Sequence, residues 1–529
     1  MEYSKESIER QEKIQELKKA WVITYANNFH GKQDIQDIIK EKNNIKDVSK
    51  LMEEGTVWEF KTAGRLMLSR SMWRLIFANI QDNTWNIQIC FVKGKLKFNT
   101  WKKLVDTIKL DSGEKTAHKI AEKYLLAGDY VGVIWDLFLT KHWELTIFVK
   151  EFQILSKAVR PLPEKFHGLS DKETIYKQRY LDLIMNEDSY NRFLLRSKVI
   201  KLLRRFYEED GFIEIETSIL WNAASWAAAK PFITHHNDFE EDFYLRIASE
   251  ISLKKATVWR FERVFEIGKN FRNEGSDPTH MQEFTELEHY ATWWNFEDNM
   301  KFNEKMFDYI FDNLWIDRKI NVIDKDGNAK IVDFTTPWWK IDYVEWVKKA
   351  CWINVSKYTE NDIDKLRKDI ETKWIKIEGI ENMWVPTMID YLYKKVLRPS
   401  IVWPAFVYNY PKTMQPLART SDENKKIVEQ FQLVANGVEI TKAYSELVDP
   451  KIQKENFQAQ KKAIKRWDEE ATSWDNDFVL AMEYGMPPQS WWGMWIDRFI
   501  ALLTEQPNLR DVVLFPVMKS WNKDGDKEE

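Results

Sequence analysis

ERVFEIGKNFRNEGSDPTHMQEFTELEHY, residues 262–290, is the stretch on which the reading of this chain turns. Val264, Phe265 and Ile267 make an apolar strand, and because side chains alternate along a strand it delivers Arg272 and Glu274 to one face. Gly275, Ser276, Asp277 and Pro278 then supply a loop, after which a second strand offers Phe284, Glu288 and Tyr290. Such a hairpin can hold a phosphate with a guanidinium, a base edge or an amine with a carboxylate, and a flat ring by stacking. Taken alone, the same residues also fit a solvated hairpin crossed by ion pairs.

Upstream, residues 3–20 have helical spacing and mixed charge. The segments TVWEFKTAGRLMLSR, LIFANIQD, NIQICFVK, YVGVIWDLFLT and ELTIFVKEFQIL alternate like short strands, and with a helix over 114–127 they make a small closed β-barrel of the OB type. The Pro-bearing KAVRPLPEKFHGLSDKE follows as a connector. In NRFLLRSKVIKLLRRFYEEDGFIEIET, Leu195, Val199, Leu202, Leu203 and Phe206 form one helix face, with Gly211 as its stop. FIEIET then alternates like a half-buried strand, and strands and helices interchange from there to 518, an α+β pattern around an antiparallel or mixed sheet. The expected organisation is a helical extension over 1–54, an OB-fold barrel over 55–155, a linker over 156–180, a larger α+β domain over 181–519 and a tail over 520–529.

Composition excludes several classes. With 529 residues the chain can bury large cores, and Cys90 and Cys351 are too few and too distant for a disulfide framework or a cysteine zinc site. The N-terminal twenty residues are charged throughout and no 18-residue apolar run follows, so a soluble, cytoplasmic protein is expected. A net charge of -4 offers no global basic field, and any RNA contact must be local. The abnormal feature is 26 tryptophans against 17 glycines, glycine standing at less than half its ordinary usage of about 7%.

FRNEGSDPTHMQEFTELEHY resembles motif 2 of class II aminoacyl-tRNA synthetases, in the form found in lysyl-tRNA synthetases. GFIEIETSIL resembles motif 1, and MPPQSWWGMWIDR resembles motif 3, usually MPPxxGxGxGIDR. RPLPEKFHGL, KQRYLDLI, AAAKPFITHHN, YLRIASE, AYSELVDP and DVVLFP are similar in the same order, so the resemblance runs from about 55 to 518. It implies an antiparallel-sheet catalytic domain with flanking helices behind the OB-fold barrel. The implied activity joins lysine to ATP as lysyl-adenylate and passes the lysyl group to the 3' end of tRNA(Lys), with Mg2+ as cofactor, in a homodimer. Arg272 and Arg498 are the implied catalytic residues, at the α-phosphate and the γ-phosphate. Glu274 and Phe284 would meet adenine, and His280 the outer phosphates. Glu250 would take the α-amino group of lysine, while Glu288, Tyr290, Tyr444 and Glu446 surround its side chain. A buried ammonium needs paired carboxylates, so this acidic set suits lysine better than aspartate or asparagine. Glu439 matches a magnesium carboxylate. In the barrel, Phe77, Gln88 and Glu144 match positions that meet the anticodon, although Phe77 fits a barrel core equally well. His235 and His236 have no third ligand at a metal-binding spacing.

The sequence departs from that pattern in two ways. Ser218 and Ser249 replace prolines, Gln432 stands where a second magnesium carboxylate is common, and Lys442 stands at a usual Asn. Separately, Trp73, Trp85, Trp135, Trp143 and Trp226 fall on family glycines, as do Trp259, Trp352, Trp403, Trp491 and Trp495. An indole is the worst replacement where backbone must approach a ligand. Trp338 and Trp492 fall where an aromatic is expected. The exchanges fit either a codon, UGA, that means glycine but is written as tryptophan, or a catalytically impaired, synthetase-like RNA-binding protein. A protein-lysylating paralogue is a third possibility, and such paralogues usually lack a barrel.

Overall fold

The computed structural model describes residues 3–40, 60–140, 142–163, 171–222, 229–323, 328–359, 361–467 and 476–519. Trp226 and the tail over 520–529 lie outside them. The chain divides into two compact units, Met1–Gly168 and Leu169–Glu529.

In the first unit, helix α1 (Lys5–Lys19) starts where the Ser4 hydroxyl accepts the Ser7 N–H at 3.2 Å. Strands β1 (Phe60–Met72), β2 (Leu75–Gln81), β3 (Asn86–Val92), β4 (Lys97–Asn99) and β5 (Leu104–Val105) precede helix α2 (Ala117–Tyr124), and β6 (Tyr130–Leu139) and β7 (Leu145–Ser156) follow it. The order is β3-β2-β1-β6-β7-β4-β5, and the further pairing of β3 with β7 closes five strands into the barrel. Alternation in LIFANIQ buries Ile76, Ala78 and Ile80. Helix α2 is shorter than its spacing suggests, because Gly113–Thr116 pairs with Thr107–Leu110 and the chain stays extended until the Thr116 cap. Asp129 and Lys157 are buried together and bonded, and Asp129 also accepts the N–H groups of Leu126 at 2.7 Å and Ala158 at 2.8 Å.

The second unit is built on an eight-stranded sheet. Helix α3 (Glu187–Glu209) leads into β8 (Ile213–Glu214); then come α4 (Glu250–Val258), β9 (Arg263–Phe271), β10 (Glu283–Thr292) and α5 (Phe296–Leu314). Strands β11 (Trp339–Asp342), β12 (Ala405–Pro411), β13 (Ile427–Ala435), β14 (Val438–Ser445) and β15 (Gln489–Trp495) complete the sheet, and α6 (Ile496–Leu503) follows. The order is β8-β9-β10-β15-β14-β13-β12-β11, antiparallel except for the outermost pair at each edge.

The period of two sorts the chemistry. Leu287 and Ala291 of β10, Ala443 of β14 and Trp492 and Met494 of β15 join the core with Val199, Leu203 and Phe206 of α3 and Phe302, Met306 and Ile310 of α5. The alternate residues of the same strands face the other way, and they include the candidate site residues.

Two expectations are corrected, and the local structure of the expected linker is added. Strand β9 ends at Phe271, so Arg272 and Glu274 sit in the following loop and are not aligned by strand alternation. Only Ile213 and Glu214 of FIEIET pair, on an exposed edge, because β8 has one neighbour. The expected linker is helical over Lys172–Lys177 and Arg179–Met185, the latter anchored by the buried pair Arg179–Asp182 at 2.8 Å. No helix among the described residues is long and apolar enough to cross a membrane.

Removing one partner of a buried pair leaves a charge uncompensated. Asp129→Ala is therefore expected to destabilise the chain by about 3–5 kcal/mol, read from the shift of its denaturant midpoint.

Candidate active site

Residues directly opposite one another in a sheet share a face. Glu288, Gly493, Lys442 and Gln432 stand in one row across β10, β15, β14 and β13, and Tyr290, Trp491, Tyr444 and Gln430 stand in the next. Glu286 lies opposite Trp495. The register thus assembles residues far apart in sequence into a single surface.

One end of that surface is an acidic pocket. Glu250 opens α4 and Lys254 lies one turn on, so its ammonium returns to Glu250 at 2.7 Å and reaches Glu446 at 3.0 Å. The Tyr444 hydroxyl donates to Glu250 as well. Burial acts to lower the Lys254 ammonium, but Glu250 and Glu446 overcome it and hold it above its ordinary value. Burial pushes the Glu446 carboxyl up, to about 8, against the pull of Lys254. Burial, then Glu286 and Glu250, push Glu288 well above the usual carboxylate range. The indole N–H of Trp491 donates to Glu288 at 3.3 Å, and its ring lies 4.8 Å from that of Tyr444. Trp491 therefore fills the space between Glu288 and Tyr444. Lys254 was not singled out in the sequence; the four-residue interval from Glu250 along a helix was the available signal.

The other end is an aromatic slot. Phe284 and Trp495 stack at 4.4 Å with 15° between their planes, and the Arg498 guanidinium lies 3.8 Å from the Trp495 ring centre. Arg272 lies 5.0 Å from Phe284 and 5.2 Å from Trp495, and its Nε donates to the Ile247 carbonyl at 3.3 Å. A flat bicyclic ring clasped between a phenyl ring and a guanidinium is the contact a purine makes best. Here that bicycle is the chain's own indole. Arg498 also meets the Glu439 carbonyl at 3.2 Å and the His280 ring at 3.2 Å.

Asp497, the neighbour of Arg498 in sequence, does different work. It is fully buried, accepts the Thr285 N–H at 2.8 Å and pairs with Arg196 at 2.5 Å. Glu274 is exposed and lines an open cleft of about 650 Å3 with Lys230, Asn273, Asp277 and His280.

Glu439 and Gln432 are half-buried, and the Gln432 amide oxygen accepts the Tyr410 hydroxyl at 2.7 Å. Lys442, directly opposite, reaches Gln415 at 3.3 Å. Burial lowers its ammonium, while Glu439 and Glu250 pull it the other way. Among the described residues no group of three metal-ligating side chains occurs. One carboxylate and one amide fit a Mg2+ that arrives with phosphate and water as its other ligands.

In the barrel unit, Phe77 is half-buried against Cys90, Val92, Phe138 and Phe148, which gives its ring a packing role. Gln88 accepts the Thr146 hydroxyl at 2.8 Å, and Glu144 is exposed. His235 pairs with Asp242 at 3.0 Å.

The family model for tRNA synthetases class II (D, K and N) matches residues 171–519. A lysine–tRNA ligase of Aquifex aeolicus (strain VF5) is 42% identical over 466 residues, 87% of this chain and 73% of that one. Lysine–tRNA ligases of Thermosipho africanus (strain TCF52B) and Lactococcus lactis subsp. lactis (strain IL1403) are 37% and 38% identical, each over 96% of this chain and 96% and 97% of their own.

Lys254→Met leaves Glu250 and Glu446 buried without their cation. The expected loss is about 3–5 kcal/mol by denaturant unfolding, and a loss under about 1 kcal/mol would show that Lys254 does not hold the pocket together.

Proposed function

The chain belongs to the class II tRNA synthetases of the D, K and N group, and from that premise we propose that it is a lysine–tRNA ligase, a cytoplasmic homodimer that charges tRNA(Lys). The acidic pocket carries the reading. Glu250, Glu288 and Glu446 are all buried; Glu250 and Glu446 share one internal cation, Lys254, and Glu288 meets only the Trp491 N–H among the described residues, so a diammonium substrate completes their pairing. Aspartate would add a carboxylate to a site already short of positive charge.

In the proposed reaction a carboxylate oxygen of lysine attacks the α-phosphorus of ATP, an O–P bond forms, and pyrophosphate leaves with the electron pair of the bond that breaks. Arg272 stands beside the slot, able to neutralise charge that grows on the α-phosphate, and Arg498 meets the outer phosphates with His280. Phe284 supplies the stacking face for adenine, and Glu274 on its loop approaches the amino edge. No protein nucleophile is required. Glu439 would hold a Mg2+ ion, which would supply charge neutralisation for the phosphates; Gln432 offers a dipole in place of a second carboxylate. The lysyl group then passes to the terminal ribose of the tRNA, whose anticodon meets Gln88, Glu144 and the free edge of Phe77. Exposed Ile213, Ile219 and Leu220, in the segment that follows α3, support the dimer.

A second reading, a binding protein with closed catalytic pockets, is favoured by one observation: Trp495 and Trp491 occupy both pockets.

Lysine-dependent exchange of pyrophosphate into ATP tests the proposal, in a Trp491→Gly/Trp495→Gly variant that clears both rings. Lysine is expected to support exchange where aspartate and asparagine do not; no exchange with any of the three overturns the reading. Below about 8, Glu446 carries a proton that the incoming ammonium must displace. The KM for lysine is therefore expected to fall as pH rises toward that value and to level off above it. In the same assay Gln432→Glu is expected to lower the Mg2+ concentration for half-maximal exchange, roughly 10-fold, by supplying a second carboxylate.

A further inference from the structure

Among the described residues, eight of the thirteen non-glycine positions with positive φ are tryptophan. Left-handed backbone crowds any Cβ, and glycine is its ordinary occupant. Nothing about an indole favours it.

Four of these tryptophans end helices. Trp315 and Trp352 are C-terminal caps, at φ 57 and φ 59. At Trp21, φ 61, the Trp21 N–H reaches the Lys18 carbonyl at 2.9 Å and the Val22 N–H reaches Leu17 at 3.0 Å. At Trp374, also φ 61, the same two bonds run to Glu371 at 3.0 Å and to Ile370 from Ile375 at 3.4 Å. The chain contains its own control: α3 ends on Gly211, φ 81, with the Gly211 N–H at 3.1 Å from the Glu208 carbonyl and the Phe212 N–H at 3.0 Å from Tyr207. The hydrogen bonds are those of a Schellman ending in all three, and only the side chain differs.

Three more sit in turns. Trp73, φ 47, is the first of two residues joining β1 to β2, a place where a hairpin calls for glycine. Trp143, φ 61, turns the chain between β6 and β7, and Trp293, φ 67, leaves β10. All seven rings are largely in solvent, from 67% exposed at Trp293 to 93% at Trp315 and Trp374. The side chain with most to gain from burial gains little there, while the backbone asks for no side chain.

Other tryptophans behave as tryptophan does. Trp338 is 6% exposed and its indole N–H donates to the Phe334 carbonyl at 3.1 Å, and Trp492 is fully buried and stacked on His289 at 5.2 Å. Neither has positive φ. Trp101, φ 76, is half-buried with its indole bonded to Ile154, and Trp135 is buried on Phe60 with negative φ, so these criteria do not sort them. Of the nine described positions that family resemblance flagged, backbone geometry independently selects Trp73, Trp143 and Trp352 and not Trp85, Trp135, Trp259, Trp403, Trp491 or Trp495, and it adds Trp21, Trp293, Trp315 and Trp374.

We propose that glycine occupies these seven left-handed positions and positions 491 and 495 in the protein as its own cell makes it, because one codon written here as tryptophan is decoded as glycine. The purine slot and the acidic pocket are then open. The seven assignments rest on the backbone alone; those at 491 and 495 rest on the ligase reading, since each ring stands where a substrate group would.

Two observations on native material test this. The gene is expected to carry UGA at the nine positions and UGG at 338 and 492. Tandem mass spectrometry of the protein purified from its own cells is expected to show glycine at 21, 73, 143, 293, 315, 352, 374, 491 and 495, and tryptophan at 338 and 492. Tryptophan at any of the seven left-handed positions overturns the decoding. Glycine at those seven with tryptophan at 491 or 495 overturns the open pockets. Glycine at all nine without lysine-dependent exchange by the native protein overturns the ligase reading and leaves the decoding standing.

Discussion

The register between β10 and β15 is the constraint on which the rest of the larger unit depends. It puts Glu288 against Gly493, Tyr290 against position 491 and Glu286 against position 495, and a slip of one residue would send all of them into the helix layer. Asp497 pins it. Standing in the first turn of α6, immediately after β15, this buried carboxylate accepts the Thr285 N–H of β10 and holds Arg196 of α3, so strand, strand and helix meet at one anion. An acidic residue at a helix start is favoured by the helix dipole, which helps to explain why a carboxyl group paired with Arg196 is tolerated so deep.

Charge is handled differently at the two ends of the sheet face. The aromatic slot carries guanidinium groups, Arg272 and Arg498, suited to phosphates. The acidic pocket is overloaded with carboxylates and eased by one lysine. A substrate bearing both ammonium groups and a carboxylate has only one orientation that satisfies both ends, with its carboxylate toward the arginines.

Much of this was legible in the sequence because it is written in period and spacing. The alternation in EFTELEHYAT separates core residues from site residues without help from tertiary structure, and the apolar stripe of α3 names the core face. What was not legible depends on partners. FIEIET alternates as a strand should, but an edge position with one neighbour pairs two residues and leaves the rest irregular. Arg272 and Glu274 lie past the end of their strand, where the chain leaves its partner and parity stops governing. Lys254 stands four residues from Glu250, an interval that solvated helix pairs share, and its burial follows only when β14 and the following chain bring Glu446 over it. The tryptophans were anomalous by composition, but only dihedral angles could divide them into residues the backbone accepts and residues it resists.

Lys254 has one more consequence. Burial favours protons on Glu446 and Glu288; once an incoming lysine displaces both, the three carboxylates less this one cation leave two negative charges, which equals the number of ammonium groups on free lysine. An amino acid with a neutral side chain leaves one carboxylate unpaired unless a proton accompanies it. In the ligase reading, acid supplies that proton and removes the penalty, so what a falling pH erodes first is the accuracy of amino-acid choice rather than the rate of activation.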